Sequence, residues 1–191
     1  MATADPQSNT LRIYVNDAVA LGRLIEEALC RQVEDERVKA LPEVFSAIDR
    51  IRTVVHTQVL TMENHAAAIG GSSAKDVITS FAGVISALYD KVRKHPVSRL
   101  LRDDHTALVL ACTGYSMLYT TGIAVRELPV ANVSIRHLNE LTPLVMELSH
   151  LIPSVVVTEL AENDPEIDRT AAELGRENTA MAWQVSGRPP Q

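Results

Sequence analysis

The residues best suited to chemistry are Glu147 and His150, in the run Glu147-Leu-Ser-His150. On a helix, an i, i+3 pair shares one face. Carboxylate-bridged di-iron bundles present a carboxylate and an imidazole to metal in this way. A complete site of that kind needs a second Glu-x-x-His pair and two further carboxylates. His56 and Glu63 lie seven apart and also share a face, with His65 close by. Glu147, His150, His56 and Glu63 are therefore the candidate ligands for iron or manganese. Glu26 and Glu27 sit near the acidic end of an earlier stretch, and Asp103, Asp104 and His105 only at the start of a later one. The constellation is incomplete, and the plainer reading is that these are solvated or helix-end polar groups, with no catalytic residue and no cofactor.

Other chemistries find less support. There is no Gly-x-Ser-x-Gly elbow, no P-loop and no Gly-x-Gly-x-x-Gly. Cys30 and Cys112 both fall in helical patterns without a Cys-x-x-Cys neighbour, which argues against a zinc or redox motif. A thiol in an apolar helix, such as Cys112, is usually inert packing. Ser116, Thr120 and Thr121 are suited to bonding back to helix carbonyls.

The elements that must position these groups are helices. Ala107–Val125 contains no charge and hardly a polar face. A helix apolar all round is buried on most sides, so this stretch is expected to be a central stave. Its length approaches a membrane span, but Thr113, Gly114, Ser116, Thr120, Thr121 and Gly122 make it a weak one. Leu141–Thr158 is also apolar, yet carries Glu147, His150, Pro143 and Pro153. A membrane hairpin is accordingly disfavoured. Gly114 and Gly122 each cost about 1 kcal/mol against Ala in a helix interior, so close approach of another helix is expected at both, either within the bundle or across a dimer.

The chain has 191 residues, 46% hydrophobic and 22% charged, with a formal net charge of -6. These values fit one domain with a real core. The acidic balance, with a sequence pI near 5.5, disfavours nucleic acid as a partner. The basic run Lys91–Arg102 reads as a solvated helix end and loop. The polar start, MATADPQSNT, has neither a basic nor an apolar signal region, and a cytoplasmic location is expected.

Taken in order, residues 1–9 are expected as a disordered tail, 10–161 as a helical bundle, and 162–191 as a short helix with a loose end. Leu11, Val15, Leu21, Ile25 and Leu29 repeat at a helical period up to about Glu34. Leu41-Pro42 opens a second helix, striped by Val44, Ile48, Ile51, Val55, Met62 and Ala66 and stopped by Gly70-Gly71. A third carries Val77, Phe81, Ile85, Leu88 and Val92. A fourth spans about Val97–Glu127, and a fifth runs from near Asn132 to about Ala161. Thr142-Pro143 is expected to divide the fifth, with Thr142 as N-cap, and Pro153 to kink it. Asp164 is expected to cap a last helix to Leu174, closed by Gly175. No segment alternates with a period of two. Trp183 and Met181 are expected to dock on the bundle.

The order of elements resembles a stress-induced, ferritin-like bacterial helical family of unknown biochemical function. Leu11–Leu29, Thr57–Gly70 and above all Asp104–Val125 carry the likeness, which extends over about Leu11–Leu160. In that family the fourth element reads Asp, a small apolar run, then Glu-His-Tyr-Glu. Here the run is Ala107-Leu-Val-Leu-Ala-Cys, and Ser116-Met-Leu-Tyr119 stands at the Glu-His-Tyr-Glu place. The first-helix ligand would fall near Leu21 or Gly22. The resemblance implies an all-α, ferritin-like four-helix bundle with additional helices, often dimeric, whose metal site is degenerate in this chain. Three functions compete. The leading one is a non-catalytic bundle acting through protein–protein contact, as a homodimer or on another protein. The second is an iron or manganese oxidoreductase using the four candidate ligands. The third is a small-molecule binding bundle with Tyr115, Tyr119, Met117 and Met146 around a pocket.

Overall fold

The computed structural model describes residues 6–70 and 95–185, and these are helical with no strand among them. Six helices follow in order: α1 (Pro6–Gln32), α2 (Glu36–Lys39), α3 (Pro42–Ala68), α4 (Val97–Ala124), α5 (Leu128–Asn163) and α6 (Ala171–Val185). The expected third helix, Val77–Val92, lies outside the described residues. So does the side chain of Trp183; Met181 is exposed.

Local signals set most boundaries. Asp35 accepts a hydrogen bond from the Arg37 backbone N–H at 2.9 Å, capping α2. Pro42 opens α3, where its missing N–H costs nothing. The first turn of α4 is capped from another helix: the Ser98 backbone N–H and hydroxyl donate to the Glu159 carboxylate at 3.1 and 2.5 Å. Helix α4 ends three residues before the expected Glu127. The Glu127 N–H donates to Gly122 O at 2.7 Å and the Arg126 N–H to Ile123 O at 3.1 Å. These are the two bonds of a Schellman motif. It places Arg126 in the left-handed region at φ 63°, a position glycine usually fills.

Four long helices form the core as a ring. Helix α1 packs on α3 and α4, and α5 packs on α4 and α3. Each neighbouring pair is antiparallel. Gln32, the last residue of α1, meets Asp104 near the start of α4, while Gln58 and Arg50 of α3 meet Glu140 and Glu147 of α5. It follows that α3 and α4 are parallel across the diagonal; the chain leaves one end of the bundle at Ala68 and re-enters at the other at Val97. Leu29, Ile48, Ile51, Met62, Leu108, Leu118, Leu141 and Leu148 fill the interior with almost no exposure. Each contributes about 1.5–3 kcal/mol by leaving water.

Several expectations are corrected here. Helix α5 is continuous through Pro143, where a division was expected, because contacts with α3, α4 and α6 hold it along its length. Thr142 is not an N-cap; its hydroxyl bonds back to Leu138 O at 2.8 Å. Asp164 ends α5 rather than starting a helix, and its carboxylate accepts from the Glu166 N–H at 3.0 Å. The last helix begins only at Ala171 and runs through Gly175, whose missing side chain lets Pro153 of α5 approach. Finally, among the described residues Ala107–Val125 is not surrounded on most sides. As a corner of the ring, α4 touches α1 and α5 but presents Val109, Met117 and Ile123 outward at 38%, 44% and 48% exposure.

Candidate functional site

The four candidate ligands fall into separate places. On α3, His56 and Glu63 both turn toward α1, as a shared face requires. There they join one chain of charges. The Arg23 guanidinium grips Glu63 through Nε and Nη2 at 2.7–2.9 Å and reaches Glu26 at 2.8 Å. Glu26 meets His56 Nδ1 at 2.5 Å. Burial alone would raise the Glu26 carboxyl, but hydrogen bonds from His56 and Arg23 outweigh it and hold the group below its ordinary range. On α5, Glu147 instead takes two bonds from Arg50 Nη1, at 2.8 and 2.9 Å. His150 is exposed along a groove between α3, α5 and α6, near Glu43, Glu173 and Arg176. Among the described residues, no group of three or more His, Cys, Asp or Glu is placed to hold a metal ion. The arrangement is one of ion pairs that fix helix register.

The bundle interior holds polar groups that sequence reasoning missed. His137 of α5 is buried, with its ring edge-on to Tyr115 of α4 at a centroid distance of 5.1 Å and an angle of 77°. This is a ring contact, favourable through the aromatic quadrupole, and not a proton-transfer pair. Burial lowers the His137 pKa to about 4 and pushes the Tyr115 hydroxyl well up, so both are neutral near pH 7. Gln58 of α3 closes the cluster, donating to Glu140 at 2.9 Å and to His137 O at 3.3 Å. The signal was present in the sequence. Gln58 falls on the stripe of Val55 and Met62, and His137 lies three and four residues from Ser134 and Leu141, both buried.

A cavity of about 120 Å³ lies between α1, α3 and α4. Tyr115 and Met117 line it, as the third reading expected; Tyr119 and Met146 do not. Met146 lies instead in the groove beside His150. The two glycines of α4 have different roles. Gly122 allows close approach: a Cβ there would lie 2.9 Å from Ala131 N of α5. Gly114 has nothing within 4 Å of where its Cβ would be, and it lines the cavity. Close approach of a helix within the chain therefore explains Gly122 and not Gly114. Cys112 is partly buried, which pushes its thiol pKa up although Thr142 hydrogen-bonds to it; a protonated thiol is unreactive.

Comparison with known proteins finds no matching family model, no matching curated protein and no matching solved structure.

Proposed function

We propose that the protein is a ferritin-like helical bundle with a degenerate metal site, which works without catalysis by pairing with a second copy of itself through the outer face of α4. The observation that carries this reading is that face. Val109, Thr113, Ser116, Met117, Thr120 and Ile123 are exposed at successive turns, within a stretch that has no charge from Ala107 to Val125. An uncharged face on which Val109, Met117 and Ile123 stand exposed among hydroxyl side chains is suited to an interaction surface. An uncharged face does not repel its own copy, as a two-fold interface requires. Ile13, one turn before the cavity-lining Asp17 on α1, is exposed as well, at 48%.

The ferritin-like assignment is supported by topology: four helices in a ring, all neighbours antiparallel, with one long crossover between α3 and α4. The degenerate metal site is supported by Arg23 and Arg50, which engage Glu63 and Glu147.

By length and composition, α4 and α5 are each apolar enough to cross a membrane. Their register favours a protein partner over a lipid one. Tyr115 stands beside His137, so Arg136 and Glu140 project at the depth of the apolar stretch of α4, with side chains 61% and 44% exposed. A bilayer around α4 would have to take in this charged pair, at several kcal/mol.

Cross-linking tests the reading. In a chain with Cys30→Ser and Cys112→Ala, Ser116→Cys is expected to form a disulfide-linked dimer under mild oxidation. Thr53→Cys, on the exposed side of α3, is expected to remain monomeric. Equal cross-linking at the two positions would overturn the assignment of the face.

A further inference from the structure

The cavity between α1, α3 and α4, which shares Thr113 and Met117 with the outer face of α4, offers a function beyond pairing. It is bounded by Ala18 and Leu21 of α1, Val55 of α3, and Gly114 and Tyr115 of α4, with Asp17 also in its lining. We propose that it is a binding site for a small ring compound carrying one hydrogen-bond donor, of the phenol class, with the ring in the apolar part and the donor on Asp17.

Three observations lead there. The volume, about 120 Å³, is close to that of an apolar cavity in another protein, about 150 Å³, which stays dry and takes benzene. The opening is maintained at a cost. Gly114 sits in the middle of a long helix, where glycine is less favourable than Ala. No close backbone contact justifies it, because nothing lies within 4 Å of its would-be Cβ. Gly114 lines the cavity, and the space beside it is open, so a large side chain there has room to fill it. Lastly, Asp17 is partly buried, and no ion pair or hydrogen bond engages its carboxyl among the described residues; burial raises its pKa. It is the one carboxyl in a lining that is otherwise apolar except for Tyr14, Gln58, Thr113 and Tyr115. Of these, Gln58 already donates to Glu140 and Thr113 to Val109 O. A ligand donor would give Asp17 a partner that none of the described residues supplies, and hydrogen bonds to charged groups are stronger than neutral ones.

The test is titration of the full chain with phenol and with benzene, read by calorimetry and by amide chemical shifts. Saturable phenol binding is expected, with the largest shifts at Ala18, Gly114 and Tyr115. Asp17→Ala is expected to weaken phenol about tenfold, to the level of benzene. Gly114→Leu is expected to abolish binding of both while the helical signal is retained. If that variant does not fold, the wild-type shift map decides. Absence of saturable phenol binding, shifts confined to residues away from the cavity, or undiminished binding by folded Gly114→Leu overturns the site. Phenol binding unaffected by Asp17→Ala overturns the role of the carboxyl.

Discussion

Gln32 Nε2 donates to Asp104 Oδ1 at 2.9 Å across 72 residues of sequence, and both residues are fully buried. The bond ties the last residue of α1 to the second turn of α4, fixing the antiparallel register of two helices that are not consecutive. A buried acceptor removed from such a pair leaves the donor unsatisfied. Asp104→Ala is therefore expected to lower unfolding free energy by about 2 kcal/mol, read as a lower urea midpoint. Asp104→Asn, which keeps an acceptor oxygen, is expected to lose less. Equal losses would place the effect in packing and not in the hydrogen bond.

His137 gives the fold a pH dependence. Its pKa is lowered to about 4 by burial, against the opposing field of Glu140 and with smaller contributions from Arg136 and His65. In the unfolded chain the same imidazole titrates at its ordinary value, about 6.5. As pH falls from about 6.5 toward 4, the unfolded state takes up a proton that the folded state refuses, and stability declines. The expected loss is roughly 2 kcal/mol between pH 7 and 4. Urea unfolding across that range is expected to show a shallower pH slope for His137→Gln than for wild type. Identical slopes would mean that His137 is protonated in the folded protein.

The two glycines of α4 are expected to respond in opposite directions. A methyl group at position 122 meets Ala131 N at 2.9 Å and Ala131 Cβ at 3.0 Å, so α5 must move. Gly122→Ala is expected to cost about 1–3 kcal/mol. Gly114→Ala is expected to gain about 0.5–1 kcal/mol through helix propensity. Thermal unfolding of the two variants checks the pair, and a gain at 122 would contradict the tight crossing of α4 and α5.

Arg126 is held at φ 63° by the turn between α4 and α5. The left-handed region costs an ordinary residue about 1 kcal/mol. Arg126→Gly is expected to raise stability by roughly 0.5 kcal/mol once the added freedom of the unfolded glycine is set against that strain. A lower melting temperature would show that the Arg126 side chain makes a compensating contact.

Hydrophobic periodicity and proline placement were enough to locate most of the framework. Pro42 opens α3, the helix ends just before Gly70, and Val97 opens α4, all as the residues indicate. The stripes Leu11–Leu29 and Val44–Ala66 are the buried ones. What periodicity cannot supply is which helix stands beside which. The exposure of Met117 follows from the corner position of α4 in the ring, which depends on the crossover. The α4 end was misplaced because its Schellman turn uses Arg126 and offers no glycine to read. Pro143 looked like a boundary because the contacts that keep α5 continuous come from other helices. The separation of His150 from His56 and Glu63 has the same cause: each pair lies on a legible face, but the faces meet different neighbours. His137 and Gln58 were readable as polar interruptions of buried stripes, and each needs the other's helix to be satisfied.

Sedimentation equilibrium on the wild-type chain and on Met117→Asp addresses the pairing of two α4 faces most directly. Met117 is exposed in the single chain, so the substitution leaves the bundle folded while placing a charge at the centre of the face. The account predicts a wild-type dimer and a folded Met117→Asp monomer. A wild-type chain that stays monomeric at high concentration, or a Met117→Asp dimer as tight as wild type, would contradict it.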